Sequence, residues 1–204
     1  MQFFYSHGFH SSLHCQAYFR ISQGLDITPF QLVYDNGGDF IANLHSLKEQ
    51  FLSEYKENEP FCFVGNSLGA FYLWQLTLFA PYFEIPSPQA MMLFNPVLTP
   101  LAQLEKYINK PQTNTTTQKA FTLTLESWQS YAHALQIPPP KDIKICVCIS
   151  QNDELINPRI SQAYWQNYAE ILHSQSGHII ADFNPYKEPF NALLQRFEKT
   201  LFFK

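Results

Sequence analysis

Short apolar runs punctuate the chain at Gln2 to Tyr5, Phe30 to Tyr34, Phe61 to Val64, Ala90 to Phe94, Ile143 to Ile149 and Ile171 to His173. Each has the length of a buried strand. Longer helix-compatible segments lie between them, the clearest at Phe40 to Tyr55, Ala70 to Phe79, Ile160 to Ala169 and Pro189 to Phe202. In the last, Phe190, Leu193, Leu194, Phe197 and Leu201 recur at helical spacing, which predicts a core-facing stripe and not a cofactor site. Strands alternating with helices in this way predict βαβ units, and so an α/β fold on a mostly parallel sheet flanked by helices.

One stretch breaks the rhythm. From about residue 99 to 140, after Pro96, the chain carries Pro100, a polar run from Gln112 to Thr117, and Pro138-Pro139-Pro140. This predicts an excursion over the sheet edge. It is either a small lid roofing a pocket at the C-terminal ends of the strands, or a connecting loop with one helix.

The length of 204 residues and the 46% apolar composition suit one globular domain spanning residues 1–204. A net charge of -4, with no Lys/Arg cluster on any expected helix face, argues against a nucleic-acid partner. The 16% of aromatic residues exceeds the 15% of charged ones, which fits an aromatic core or an apolar substrate pocket. The opening Met1-Gln2-Phe3-Phe4-Tyr5 shows no basic n-region or long h-region, and no apolar run approaches the length of a membrane span. A cytoplasmic location is the resulting expectation. Cys15, Cys62, Cys146 and Cys148 lack C-x-x-C spacing and read as core thiols, so neither a metal site nor a cofactor is expected.

The chemistry concentrates first at Gly65-Asn66-Ser67-Leu68-Gly69, a G-x-S-x-G pattern between an expected strand and an expected helix. In that setting it predicts a nucleophile elbow, a tight turn that lifts Ser67 above the sheet. Gly65 and Gly69 let neighbouring backbone approach closely, and Leu68 contributes an N–H at the helix start, where an oxyanion is favoured. An activated serine needs a base and an acid to orient it. Seven histidines compete. Of these, His178 follows Ser176-Gly177 just beyond the last expected strand, on a loop level with the elbow. Asp153, on the turn past the Ile143 to Ile149 run, is the preferred acid, with Glu154 and Asp182 as rivals. The order Ser67, Asp153, His178 is that of α/β-hydrolases. In such enzymes a His-Gly-x turn after an early strand supplies the second oxyanion donor. Here that is the Phe9 N–H, with Gly8 turning the backbone, His7 holding the loop by a hydrogen bond, and Ser11-Ser12 available to cap the next helix.

These residues carry a family resemblance. The stretches Ser6 to Ser12, Val64 to Ala70, Phe94 to Pro100, Asn152 to Leu155 and Ser176 to His178 resemble the α/β-hydrolase superfamily, and within it the small bacterial YqiA/YcfP-type esterases. Gln151-Asn152 stands where a glycine-containing approach to the aspartate is more usual, and Ile179-Ile180 where small and aromatic residues often follow the histidine. The resemblance implies a compact α/β-hydrolase fold, a modest lid, and hydrolysis of a small-molecule acyl ester or thioester. The alternatives are an acyl-CoA thioesterase or acyltransferase on the same three residues, and a non-catalytic binding protein on a hydrolase scaffold.

Overall fold

The computed structural model describes the backbone of residues 1–201 and the side chains of residues 1–195. The first half of the chain runs β1 (Gln2–Ser6), α1 (Gln16–Leu25), β2 (Phe30–Leu32), α2 (Phe40–Glu54), β3 (Phe61–Asn66), α3 (Leu68–Phe83) and β4 (Ala90–Phe94). An excursion follows, with α4 (Pro100–Leu104), the short strands β5 (Pro111–Thr113) and β6 (Ala120–Thr122), and α5 (Leu125–Ser130). The chain then returns through β7 (Lys144–Ser150), α6 (Pro158–Trp165), β8 (Glu170–Ser174) and α7 (Lys187–Leu201).

The main sheet has six strands in the order β2-β1-β3-β4-β7-β8, and every pairing is parallel. Alternate side chains of one strand point to opposite faces. Phe4, Phe63, Met91, Leu93 and Val147 therefore join a core covered by α2, α3 and α6. Tyr5, Val64, Met92, Phe94 and Cys148 join a second core under α1 and α7. Both faces are covered, which is why the strands read as continuous apolar runs. Cys15, Cys62, Cys146 and Cys148 are all buried free thiols.

Chain order reverses across β1. From β1 the chain steps through α1 to β2 on one side, whereas β3, β4, β7 and β8 extend the sheet on the other. The loops after β1 and β3 consequently depart toward opposite faces and leave a crevice between them, the place where open α/β sheets bind ligands. Helix α3 leaves β3 beside that crevice and is buried almost all round. Its fully buried Gln75 is satisfied by accepting from Leu135 N–H at 2.8 Å and donating to Leu135 C=O at 3.1 Å, which fastens the excursion to the helix.

Several boundaries differ from the sequence expectation for local reasons. β2 stops at Leu32 because the Gln50 side chain takes both backbone groups of Val33, at 2.8 and 2.7 Å. α6 begins at Pro158, two residues before Ile160, since Asn157 caps it and Pro158 suits the first helical position. It also ends at Trp165, before Ala169. The Ser11-Ser12 cap does not form. α1 starts after Cys15, which makes no side-chain cap bond, and the Ser11 hydroxyl donates to Gly8 C=O instead. The excursion is richer than a loop with one helix, for it holds two short α-helices, each followed by a 3-10 turn, and an antiparallel hairpin. Phe190 and Leu193 are buried in the second core, with Leu194 packed beside them. Phe197, Leu201 and Phe202 of the expected stripe and helix lie outside the described side chains. No helix among the described residues is long and apolar enough to cross a membrane.

Candidate active site

Ser67 is the residue between β3 and α3, and its backbone is bent to φ 55° and ψ -120°. L-residues rarely adopt such a positive φ, and holding one there costs on the order of 1–3 kcal/mol. The surrounding backbone enforces the bend. Ser67 N–H donates to Phe94 C=O at 2.9 Å, and Val97 N–H donates to Ser67 C=O at 3.3 Å. A β-carbon on Gly69 would collide with the carbonyl oxygens of Ser6 and His7, and one on Gly65 with the backbone of Ala70. Both glycines serve by absence of bulk, since neither has a positive φ.

The loop after β8 brings His178 to the serine. Its Nε2 lies 2.9 Å from Ser67 Oγ, and its Nδ1 lies 2.9 Å from Asp153 Oδ2. An ionised carboxylate only accepts, so Nδ1 carries the hydrogen and the Nε2 lone pair is free to accept the Ser67 O–H. The other carboxylate oxygen, Oδ1, accepts from Leu155 and Ile156 N–H at 2.8 Å each, which fixes the acid on its turn. Only 2% of the Asp153 side chain and 13% of the His178 side chain is exposed. The rival acids are occupied elsewhere. Glu154 Oε2 accepts from the His178 backbone N–H at 2.9 Å, a bond that lowers its pKa, and Asp182 accepts from Asn184 N–H at 2.9 Å.

Phe9 and Leu68 flank the serine. Leu68 N–H begins α3, where no carbonyl within the helix can reach it. Phe9 follows β1, whose Ser6 is in register with Gly65 of β3, so the two turns are neighbours. Among the described residues neither N–H donates a hydrogen bond. A β-carbon on Gly8 would press on Asn66 Nδ2 at 3.2 Å and Ser67 Cβ at 3.3 Å, so its smallness, not a special φ, lets this turn approach the elbow. His7 is buried, donates from Nδ1 to Gly8 C=O at 2.8 Å, and stacks on Tyr34 at 4.4 Å. Burial lowers its pKa to about 4 and keeps it neutral. None of the remaining histidines bonds to the serine: His10 pairs with Gln112, His14 with Gln31 and His173 with Gln151, while His45 and His133 are exposed.

Asn95 is the position for which residue-type reasoning supplied no role. It is buried at φ 45°, and its Nδ2 donates to His178 C=O at 3.0 Å and to Ser150 Oγ at 2.9 Å. Its Oδ1 accepts Ser150 N–H at 2.8 Å. One side chain thus ties the histidine loop to the ends of β4 and β7. The available signal was an Asn-Pro pair directly after an apolar strand, because asparagine tolerates left-handed backbone.

Two cavities meet at Ser67 and His178. One of about 100 Å³ is bounded by Phe9, Leu68, Val97, Leu104, Tyr107 and Ile156. The other, about 660 Å³, runs past Asn66, Gln16, Arg20, Thr116 and Glu154. Leu104 and Tyr107 come from the excursion, which therefore walls the site, and its hairpin turn is tied to the loop after β1 by Thr115 N–H donating to His10 C=O at 2.7 Å.

A parallel sheet between two helical layers, with a serine on a strained strand-to-helix turn at its C-terminal edge, defines an α/β-hydrolase fold. Solved structures share it. Est1E from Butyrivibrio proteoclasticus with ferulic acid bound is similar at TM-score 0.69 and 11% identity, covering 98% of this chain and 90% of that one. ClbQ from the colibactin NRPS/PKS pathway is similar at TM-score 0.67 and 13% identity, over 98% of each chain. Mouse alpha/beta hydrolase domain-containing protein 10 is similar at TM-score 0.63 and 13% identity, over 96% and 90%. At such identities the likeness is one of fold. No curated protein matches the sequence. The chain belongs to the UPF0227 family, described as an uncharacterised protein family, whose model matches residues 2–195.

Proposed function

We propose that this protein is a serine hydrolase that cleaves carboxylic esters of small molecules through an acyl-enzyme. The observation that carries the reading is the continuous chain of two 2.9 Å contacts from Ser67 Oγ through the His178 ring to Asp153, ending on a strained elbow.

In this reaction His178 Nε2 takes the Ser67 proton as Oγ bonds to the ester carbonyl carbon. The Phe9 and Leu68 N–H groups hold the oxyanion, and Asp153 stabilises the imidazolium that forms. Collapse breaks the ester C–O bond, and Nε2 gives the proton to the departing alcohol. Water then repeats the sequence on the acyl-serine, releasing the acid and restoring Ser67. The mechanism needs neither metal nor redox group. A thioester enters the same steps with a thiol as leaving group.

A fluorophosphonate probe tests the activated serine directly. The folded protein is expected to label at Ser67 and to hydrolyse esters, and Ser67→Ala to lose both. Absence of labelling and of hydrolysis in folded protein would return the chain to a binding role on a hydrolase scaffold.

A further inference from the structure

The residues that follow Phe9 are fastened from outside their own loop. His10 has left-handed backbone, φ 63°, which a residue with a side chain keeps only where its surroundings over-determine it. Those surroundings come from two places far off in the chain. Asn36, in the loop after β2, accepts His10 N–H on Oδ1 at 2.9 Å and donates from Nδ2 to Ser11 C=O at 3.0 Å. Asn114, at the turn of the β5-β6 hairpin, donates from Nδ2 to the same Ser11 C=O at 2.9 Å. Next to it, Thr115 gives its N–H at 2.7 Å and its hydroxyl at 2.9 Å to His10 C=O.

This grip reaches the Phe9 N–H through one residue. Ser11, held at its C=O by both asparagines, donates its hydroxyl at 2.7 Å and its N–H at 3.3 Å to Gly8 C=O. That carbonyl belongs to the peptide unit that bears the Phe9 N–H. A trans peptide is planar, so fixing its C=O also fixes the direction of its N–H. Both asparagines are buried, and an amide that released Ser11 would be left without water to replace the bond. The other end of Asn114 shapes the hairpin: its Oδ1 accepts from Thr116 and Thr117 N–H at 2.9 Å each. The Phe9 ring rests on the excursion as well, 5.2 Å from the Tyr107 ring and 5.5 Å from that of Phe121.

We propose that Asn36 and Asn114 are positioning residues for the oxyanion site. By holding Ser11 C=O together they set the Gly8-Phe9 peptide and so aim the Phe9 N–H at the oxygen that becomes charged. The excursion hairpin is then a brace of the active site as well as a wall of it. This rests on Ser67 being the nucleophile and the Phe9 N–H an oxyanion donor.

The test uses the full chain with para-nitrophenyl butyrate. Asn114→Asp keeps the acceptor for Thr116 and Thr117 but sets an oxygen against Ser11 C=O, so the hairpin turn stays and the tether goes. Its kcat is expected to fall about 30-fold or more, toward the roughly 10²–10³ lost with one oxyanion donor, while KM stays within about threefold. Asn36→Asp, which keeps the acceptor for His10 N–H, is expected to behave alike and stands in should Asn114→Asp fail to fold. Propyl trifluoromethyl ketone, which forms a tetrahedral oxyanion with a serine, should lose affinity in step with kcat/KM. N-phenylbutyramide, a mimic of the unreacted ester, should bind as to the parent. A kcat within about threefold of the parent in the folded variants, or equal losses of ketone and amide affinity, overturns the assignment. The parent protein separates the two readings. If it hydrolyses the ester and labels with fluorophosphonate at Ser67 while the variants match it, only the brace falls. If it does neither, the hydrolase falls and the brace with it.

Discussion

Ser67 and His178 meet at 2.9 Å but are held in place by different means. Backbone places the serine: its φ of 55° is locked by hydrogen bonds to the end of β4 and the loop after it, and by two glycines whose β-carbons would strike main-chain atoms. Side chains place the histidine. Asp153 holds its ring, Glu154 its N–H and Asn95 its C=O. A backbone device is written locally, as small residues around a serine. A side-chain tether joins Asn95 to His178 across 83 positions, and no local pattern announces it.

The difference can be broken most forcefully at the proposed nucleophile. Ser67→Ala is expected to lower kcat by about 10⁶, roughly 8 kcal/mol of barrier on the scale of a protease triad, while Tm holds, because the elbow does not depend on the hydroxyl. Gly69→Ala attacks the scaffold on the same side. Its methyl must displace the Ser6 and His7 carbonyls, so urea denaturation is expected to show a loss of about 3 kcal/mol or more.

His7 sharpens the picture of the serine side through pH. Burial lowers its pKa to about 4 in the folded state, below the ordinary histidine value of about 6.5, so between these the unfolded chain takes up a proton that the native state refuses. Stability therefore falls as pH drops through this window, by on the order of 3 kcal/mol in full. In His7→Phe, which keeps a ring against Tyr34, urea midpoints at about pH 7 and 4.5 should lie closer together than in the parent.

On the histidine side, smaller losses are expected. Asn95→Ala frees the His178 carbonyl and should lower kcat about 10²-fold, with KM little changed, when assayed well below its Tm. Retained kcat would reduce Asn95 to a structural residue of the β4 and β7 ends. Glu154→Gln keeps an acceptor for the His178 N–H, so kcat should stay within about threefold. A loss as large as that of Asp153→Asn would transfer the acid role to Glu154.

The strands were the most legible elements, because burial on both faces leaves little besides apolar residues in them, and Ala90–Phe94 begins and ends where its pattern does. Edges were less legible. β2 ends early through Gln50, a residue of a different element, and α6 starts early through its Asn157 cap. The excursion was opaque: its prolines and threonines forbid long regular elements but do not specify a hairpin or the residues it packs against. Within the site, the elbow and the order of Ser67, Asp153 and His178 were readable, since Ser67 directly follows β3 and the other two lie on the turns just past β7 and β8. The choice between Asp153 and Glu154 rested on position along one turn. In space it becomes a difference of partner, the imidazole ring for one and the backbone N–H for the other.

The chain by itself determined the alternation of strands and helices, the buried character of its cysteines, and a serine between glycines at a strand's end, because these follow from local periodicity and sterics. Tertiary structure alone decided which carboxylate meets His178, that Asn95 restrains the histidine loop, and that the excursion walls a small cavity beside a larger one at Ser67. Those outcomes depend on distances between residues far apart in the chain, which are set only when β1, β3, β4, β7 and β8 lie side by side in one sheet.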